Sequence, residues 1–92
     1  MIVYLEFECI LYEGKSLKNK RSVIKRLISR LRQDLNIAIA ELDYQDLWQR
    51  SKIGIVTIAN QYKYAEKVIQ EVLKIVDSFP EIERTLTKIE HL

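Results

Sequence analysis

Residues 2–35, IVYLEFECILYEGKSLKNKRSVIKRLISRLRQDL, change their hydrophobic period partway along, and that change decides the fold. Through Tyr12 the period is two. Val3, Leu5, Phe7, Cys9 and Leu11 share one face, while Ile2, Tyr4, Glu6, Glu8, Ile10 and Tyr12 share the other. This is a strand with one buried and one mixed side. Gly14 ends it and Ser16 is placed to cap a helix. From Leu17 the period is helical, with Leu17, Ile24, Leu27, Ile28, Leu31 and Leu35 on the apolar side. Asn36 suits the left-handed cap conformation at the helix end.

Working outward, IAIAEL at 37–42 predicts a second strand, and DYQDLWQR at 43–50 a polar connection. KIGIVTIA at 52–59, rich in β-branched residues, predicts a third strand. Asn60 is placed to cap a second helix over 62–78, with Ala65, Val68, Ile69, Val72, Val76 and Phe79 as its stripe. Pro80 stops it. Residues 82–92 alternate poorly and read as a short edge strand. The order is β-α-β-β-α-β, and right-handed crossovers interleave its two halves. The expected fold class is α+β: a ferredoxin-like βαββαβ sandwich, with a four-stranded antiparallel sheet and two helices on one face. Ninety-two residues with 48% hydrophobic and 30% charged content make residues 1–92 one such domain. That topology serves many functions, so it decides none.

Charge is more informative. Eight of the fifteen Lys and Arg residues lie from Lys15 to Arg32, and no acid occurs from Lys15 through Gln33. The net charge is only +2, so the rest of the chain is acidic. On the first helix, Lys18, Arg21, Lys25 and Arg32 fall on one flank, with Arg26 and Arg30 on the other. Lys18, Lys20 and Arg21 sit in the first turn, where the helix dipole disfavours cations. A stripe of this kind suits a phosphate backbone, as in RNA or the ribosome. The other reading is a solvated face whose cations pair with acids elsewhere. Sheets of this topology that read bases stack them on aromatics of the first and third strands. Here Glu6 and Glu8 interrupt the first strand and the third has no aromatic, so the helix is the better RNA surface.

The string Glu41-Leu-Asp-Tyr-Gln-Asp-Leu-Trp-Gln-Arg50 is the most distinctive one. As a connection, Asp43 turns the chain, Leu47 and Trp48 pack down, and Arg50 pairs with an acid. As a surface, Tyr44, Trp48 and Arg50 are the residue types that dominate interface hot spots. A third use gathers Glu41, Asp43 and Asp46 round a divalent ion, although the spacing matches no calcium loop. No metal site and no cofactor are expected.

Catalytic patterns are missing. His91 reads as a frayed-end histidine, and Gly14 and Gly54 cannot form a phosphate-cradling loop. Tyr12-Glu13-Gly14-Lys15 lacks the Gly- and Arg-containing anion loop of acylphosphatases. Cys9 has no partner for a disulfide or a Cys-based metal cluster. With no secretion signal and no run of eighteen apolar residues, a cytoplasmic protein without membrane contact is expected. A rival to RNA binding is a homo-oligomer, such as a homodimer, paired through the lightly charged second-strand edge Ile37-Ala38-Ile39-Ala40.

Ser16-Leu17-Lys18-x-Lys20-Arg21, Ala40-Glu41-Leu42-Asp43-x-Gln45-Asp46-Leu47-Trp48-Gln49-Arg50 and Gly54 together resemble the YlxP-like family of small bacterial proteins, a domain of unknown function. The resemblance covers nearly the whole chain. It implies a ferredoxin-like fold and a bacterial cytosolic setting. It also implies RNA or ribosome work by association, since such proteins are often encoded beside transcription-termination, translation-initiation and ribosome-maturation factors. It carries no catalytic residues.

Overall fold

The structure, a computed structural model, describes residues 1–12 and 15–92. Its elements follow the expected order: β1 Ile2–Leu11, α1 Leu17–Asp34, β2 Ala38–Asp43, β3 Arg50–Ile58, α2 Tyr62–Asp77 and β4 Ile82–His91. The strands form one antiparallel sheet in the order β2-β3-β1-β4. Both helices cover one face, and the other is open. This is the ferredoxin-like arrangement. The reading of Gly14 as a strand terminator lies outside the described residues.

Alternation in β1 determines where the core sits. Val3, Leu5, Phe7 and Cys9 are fully buried, together with Ile53 and Ile55 of β3. Above them pack Ile24, Leu27 and Leu31 of α1 and Ala65, Ile69, Val72 and Val76 of α2. Burying each large aliphatic side chain contributes roughly 1.5–3 kcal/mol before entropy is subtracted. Buried polar groups inside this shell are satisfied. The Thr57 hydroxyl donates to the Asn36 carbonyl at 2.7 Å.

Ser16 caps α1 as expected, its Oγ accepting from the Asn19 N–H at 3.2 Å. The other two caps differ from expectation. Asn36 does not take a left-handed cap: Leu35 is the capping residue in extended geometry, and Tyr44 is the one non-glycine with positive φ among the described residues. The Asn36 amide instead donates to the Ile58 carbonyl, bracing the β2 entry against β3. Gln61, not Asn60, caps α2, without a side-chain hydrogen bond.

β4 is an edge strand as expected, but ten residues long. His91 is not frayed. Its Nε2 lies 2.7 Å from Glu66 Oε1 and its ring meets Tyr62 edge-on, while the Tyr62 hydroxyl donates to the Leu92 carbonyl.

Candidate functional site

The site begins with a lysine in the wrong place for a solvated helix. Leu17, Lys20, Ile24, Leu27 and Leu31 recur at helical spacing, so Lys20 lies on the core line of α1. It is fully buried. Its ammonium donates to the Tyr44 carbonyl at 2.6 Å and the Gln45 carbonyl at 3.3 Å. It also pairs with Glu41 Oε2 at 2.9 Å. All three ammonium donors therefore have acceptors. The same carboxylate oxygen accepts from the buried Ser51 hydroxyl at 2.5 Å.

This network holds the β2–β3 connection from beneath. Tyr44 takes φ 63°, and its carbonyl also accepts from the Leu47 N–H at 3.0 Å. The Asp43 carboxylate accepts from the Tyr44 N–H at 2.7 Å, so Asp43 turns the chain as expected. Arg50 lies over the Tyr44 ring, 4.0 Å from its centroid. The Arg50 guanidinium donates twice to one oxygen of Glu8, at 2.5 and 3.1 Å. Arg50 thus pairs with an acid, as the sequence suggested.

Leu47 and Trp48, however, do not pack down. They remain 49% and 37% exposed, beside Tyr12 at 64% and Leu86 at 69%. A shift of register between Phe7 and Cys9 against β4 turns Leu86 to this side. The result is an open cavity of about 670 Å³ at the end of the sheet, lined by Ile10, Tyr12, Leu47, Trp48, Arg50 and Leu86 among others. Tyr44 is absent from that lining, so of the three partner-contact residues only Trp48 and Arg50 face the cavity.

The acids of the connecting string do not assemble into a metal centre. Glu41 is committed to Lys20 and Ser51, Asp43 to the Tyr44 N–H, and Asp46 extends toward Arg21. Among the described residues no group of three or more His, Cys, Asp or Glu is placed to hold a metal ion. Cys9 is sealed in the core, where burial pushes its thiol up to about 11.

The cations of α1 divide by flank. Arg26 pairs with Glu81 and covers the Phe79 ring, and Arg30 pairs with Asp34 at 3.1 Å. On the opposite flank Arg21, Lys25 and Arg32 line a shallow groove between α1 and β2, with Ile28 and Ile39 at its base. Lys18 stands exposed one turn earlier, outside the groove lining. Arg21 reaches Asp46 only at 3.8 Å, with both side chains well exposed, which is worth little. Arg32 makes a long 3.4 Å hydrogen bond to the Ile39 carbonyl on the outer edge of β2. Lys18 and Lys25 have no ion pair among the described residues.

The eight-cation segment is therefore not uniformly a solvated face. Lys20 is a core anchor that charge counting misassigns. Its position on the core line was the available signal. No helix among the described residues is long and apolar enough to cross a membrane.

The family described as "Protein of unknown function (DUF503)" matches residues 2–89. The uncharacterized protein YlxP of Bacillus subtilis (strain 168) is 48% identical over 90 residues, covering 98% of each chain. Among solved structures, a C-terminal segment of the alpha subunit of aIF2 from Pyrococcus abyssi superposes with a TM-score of 0.56 at 18% identity. The match covers 92% of this chain but 48% of that segment, so the chain spans about half its length. A de novo designed protein with ferredoxin fold gives 0.57 at 14% identity, covering 100% of this chain and 87% of the design. Both likenesses concern the fold alone.

Proposed function

This chain belongs to the DUF503 family of proteins of unknown function, and we propose that it works without catalysis, as an RNA- or ribosome-associated factor that docks phosphates on one flank of α1. The supporting observation is the division of cations on that helix. Lys20 is neutralised in the core, and Arg26 and Arg30 pair with neighbouring acids. Lys18, Arg21, Lys25 and Arg32 are left exposed on the remaining flank, within reach of a phosphate chain along the α1–β2 groove. Cations that the fold engages weakly, by no more than a 3.8 Å ion pair or one 3.4 Å hydrogen bond, are available to a polyanion.

The test is fluorescence anisotropy with a labelled single-stranded RNA. Reversing Lys18, Arg21 and Lys25 to Glu should remove binding. The control Arg26→Gln with Arg30→Gln should leave it nearly intact, since those cations already have partners. Unchanged affinity in the triple variant refutes the reading.

A second reading is pairing of two copies through the β2 edge, where Ala38 and Ala40 are exposed and no strand lies on the outer side. Against it, Arg21, Lys25 and Arg32 line that same edge, so a two-fold pairing would bring like charges together. Equilibrium sedimentation at tens of micromolar separates the two: a monomer is expected, and a salt-resistant dimer would favour edge pairing.

A further inference from the structure

The cavity at the end of the sheet has no task in phosphate docking, yet the fold commits a buried ion network to the loop that forms one of its walls. Lys20, Glu41 and Ser51 fix the backbone at Tyr44 and Gln45. The chain then presents Leu47 and Trp48 at the surface, opposite Tyr12 and Leu86. Four large apolar side chains exposed round one concavity mark a contact site rather than an ordinary solvated loop.

Three observations select the occupant. The first is Trp48, exposed at the cavity wall, whose indole is the kind of broad aromatic surface that suits a flat, weakly polar ligand. The second is Arg50. It lines the cavity, but its charge is answered by Glu8 and its guanidinium lies over the Tyr44 ring, so it stiffens the wall instead of holding an anion. The third is continuity. Lys20 bonds the loop at Tyr44 and Gln45, and Arg21 lies 3.8 Å from Asp46, so the cationic flank of α1 starts beside the loop. A ligand with an anionic backbone and flat apolar faces is a single-stranded nucleic acid. Surfaces that bind such strands combine a basic track with aromatic platforms. A base in a duplex is stacked and paired and cannot enter.

We propose that the cavity receives one unpaired base of the RNA whose phosphates lie on the α1 flank, stacked on Trp48. This rests on the phosphate-docking reading, and the experiment separates the two.

Trp48 is the chain's single tryptophan, so its emission reports this site alone. Anisotropy of labelled ligand is read alongside it. The probes are a single-stranded adenosine oligonucleotide, an abasic ribose-phosphate oligomer of equal length and a blunt RNA duplex. The single strand should quench Trp48 and bind on the order of tenfold more tightly than the abasic oligomer, from one stacked base. The abasic oligomer and the duplex should bind through the flank without quenching. Trp48→Leu should bind the single strand and the abasic oligomer alike, while Trp48→Phe should retain part of the preference. A wild-type protein that binds both equally with unchanged emission overturns the base site and leaves phosphate docking standing. Failure to bind any of the probes overturns both. Urea unfolding of the Trp48 variants confirms that they are folded, because the side chain is one-third exposed and outside the core.

Discussion

Lys20 shows how one residue can turn a helix into a scaffold for a loop. Its ammonium bridges two carbonyls and a carboxylate more than twenty residues away in sequence. Replacing it with Met leaves Glu41 charged in a partly buried site and two carbonyls without their donor. The expected loss is about 3–5 kcal/mol by urea denaturation, the range for breaking one side of a buried pair. A loss below about 1 kcal/mol would show that water replaces the ammonium. Cys9 illustrates the opposite case, a reactive group the fold switches off. Burial pushes its thiol up to about 11, so at neutral pH it stays protonated as well as inaccessible. Labelling by a thiol-specific disulfide reagent should be slow in the native protein and immediate in denaturant. Rapid native labelling would mean that the β1 core opens readily. The core position of Lys20 was legible from its helical spacing with Leu17, Ile24, Leu27 and Leu31. Its partners were not, because two are backbone atoms brought beneath it only by the β2–β3 connection.

Among elements, the junction of α2 and β4 depends on an ion pair whose contribution changes with pH. Arg84 grips Asp77 with two hydrogen bonds, at 2.9 and 2.8 Å. The hydrogen bond from Arg84 holds the Asp77 carboxyl below its ordinary value. Arg26 does the same for Glu81 at the neighbouring turn. A carboxyl whose folded pKa is depressed stabilises the fold above its unfolded pKa, and that stability disappears as pH falls through the folded value. Asp77→Asn should therefore flatten the pH dependence of the urea midpoint below roughly pH 4. At pH 7 it should cost less than about 1 kcal/mol, because the Asp77 side chain is half exposed and screened. An unaltered acid limb in that variant would place the pH dependence elsewhere. Element order and the β1 and α1 faces were all legible, because alternation and helical spacing survive intact there. β4 was not, for a specific reason. Phe7 pairs with Thr87 but Cys9 with Arg84, so an extra residue enters β4 between them. The inward residues are Ile82 and Arg84 before the bulge and Thr87 and Ile89 after it. The alternation changes phase, and a ten-residue strand reads as a poorly patterned tail. The caps failed for another reason: Asn36 and Asn60 both suit a cap, but a tertiary hydrogen bond to Ile58 takes the Asn36 side chain, and the cap of α2 falls one residue after Asn60, at Gln61.

At the scale of the molecule, the decisive quantity is how much of the charge segregation remains once the fold has used what it needs. The segment from Lys15 to Arg32 contributes eight cations, of which Lys20 is consumed in the core and Arg26 and Arg30 pair closely with surface acids, and the exposed α1 stripe holds four: Lys18, Arg21, Lys25 and Arg32. The count was legible in the sequence. The division into paired and weakly held cations was legible only for Arg30, four residues before Asp34 on one helix, since the rest depends on Glu41 and Glu81 arriving beside Lys20 and Arg26. Four phosphate contacts to a single strand predict a slope of log K against log salt of about −3, from roughly 0.7 counterions released per contact. Affinity should then fall about fifty-fold between 50 and 200 mM salt. The slope also distinguishes the two halves of the surface. Neutralising one stripe cation, as in Lys25→Gln, should reduce its magnitude by about 0.7, because one fewer counterion is released. Trp48→Leu should weaken binding and leave the slope unchanged, because stacking a base releases no counterions. Isotherms at three salt concentrations for the wild type and these two variants test this directly. A Trp48→Leu slope reduced by a full contact would mean that the cavity holds phosphate rather than base. A Lys25→Gln slope equal to that of the wild type would remove the α1 flank from the binding surface. Each half of the molecule thus leaves its own mark on the salt dependence.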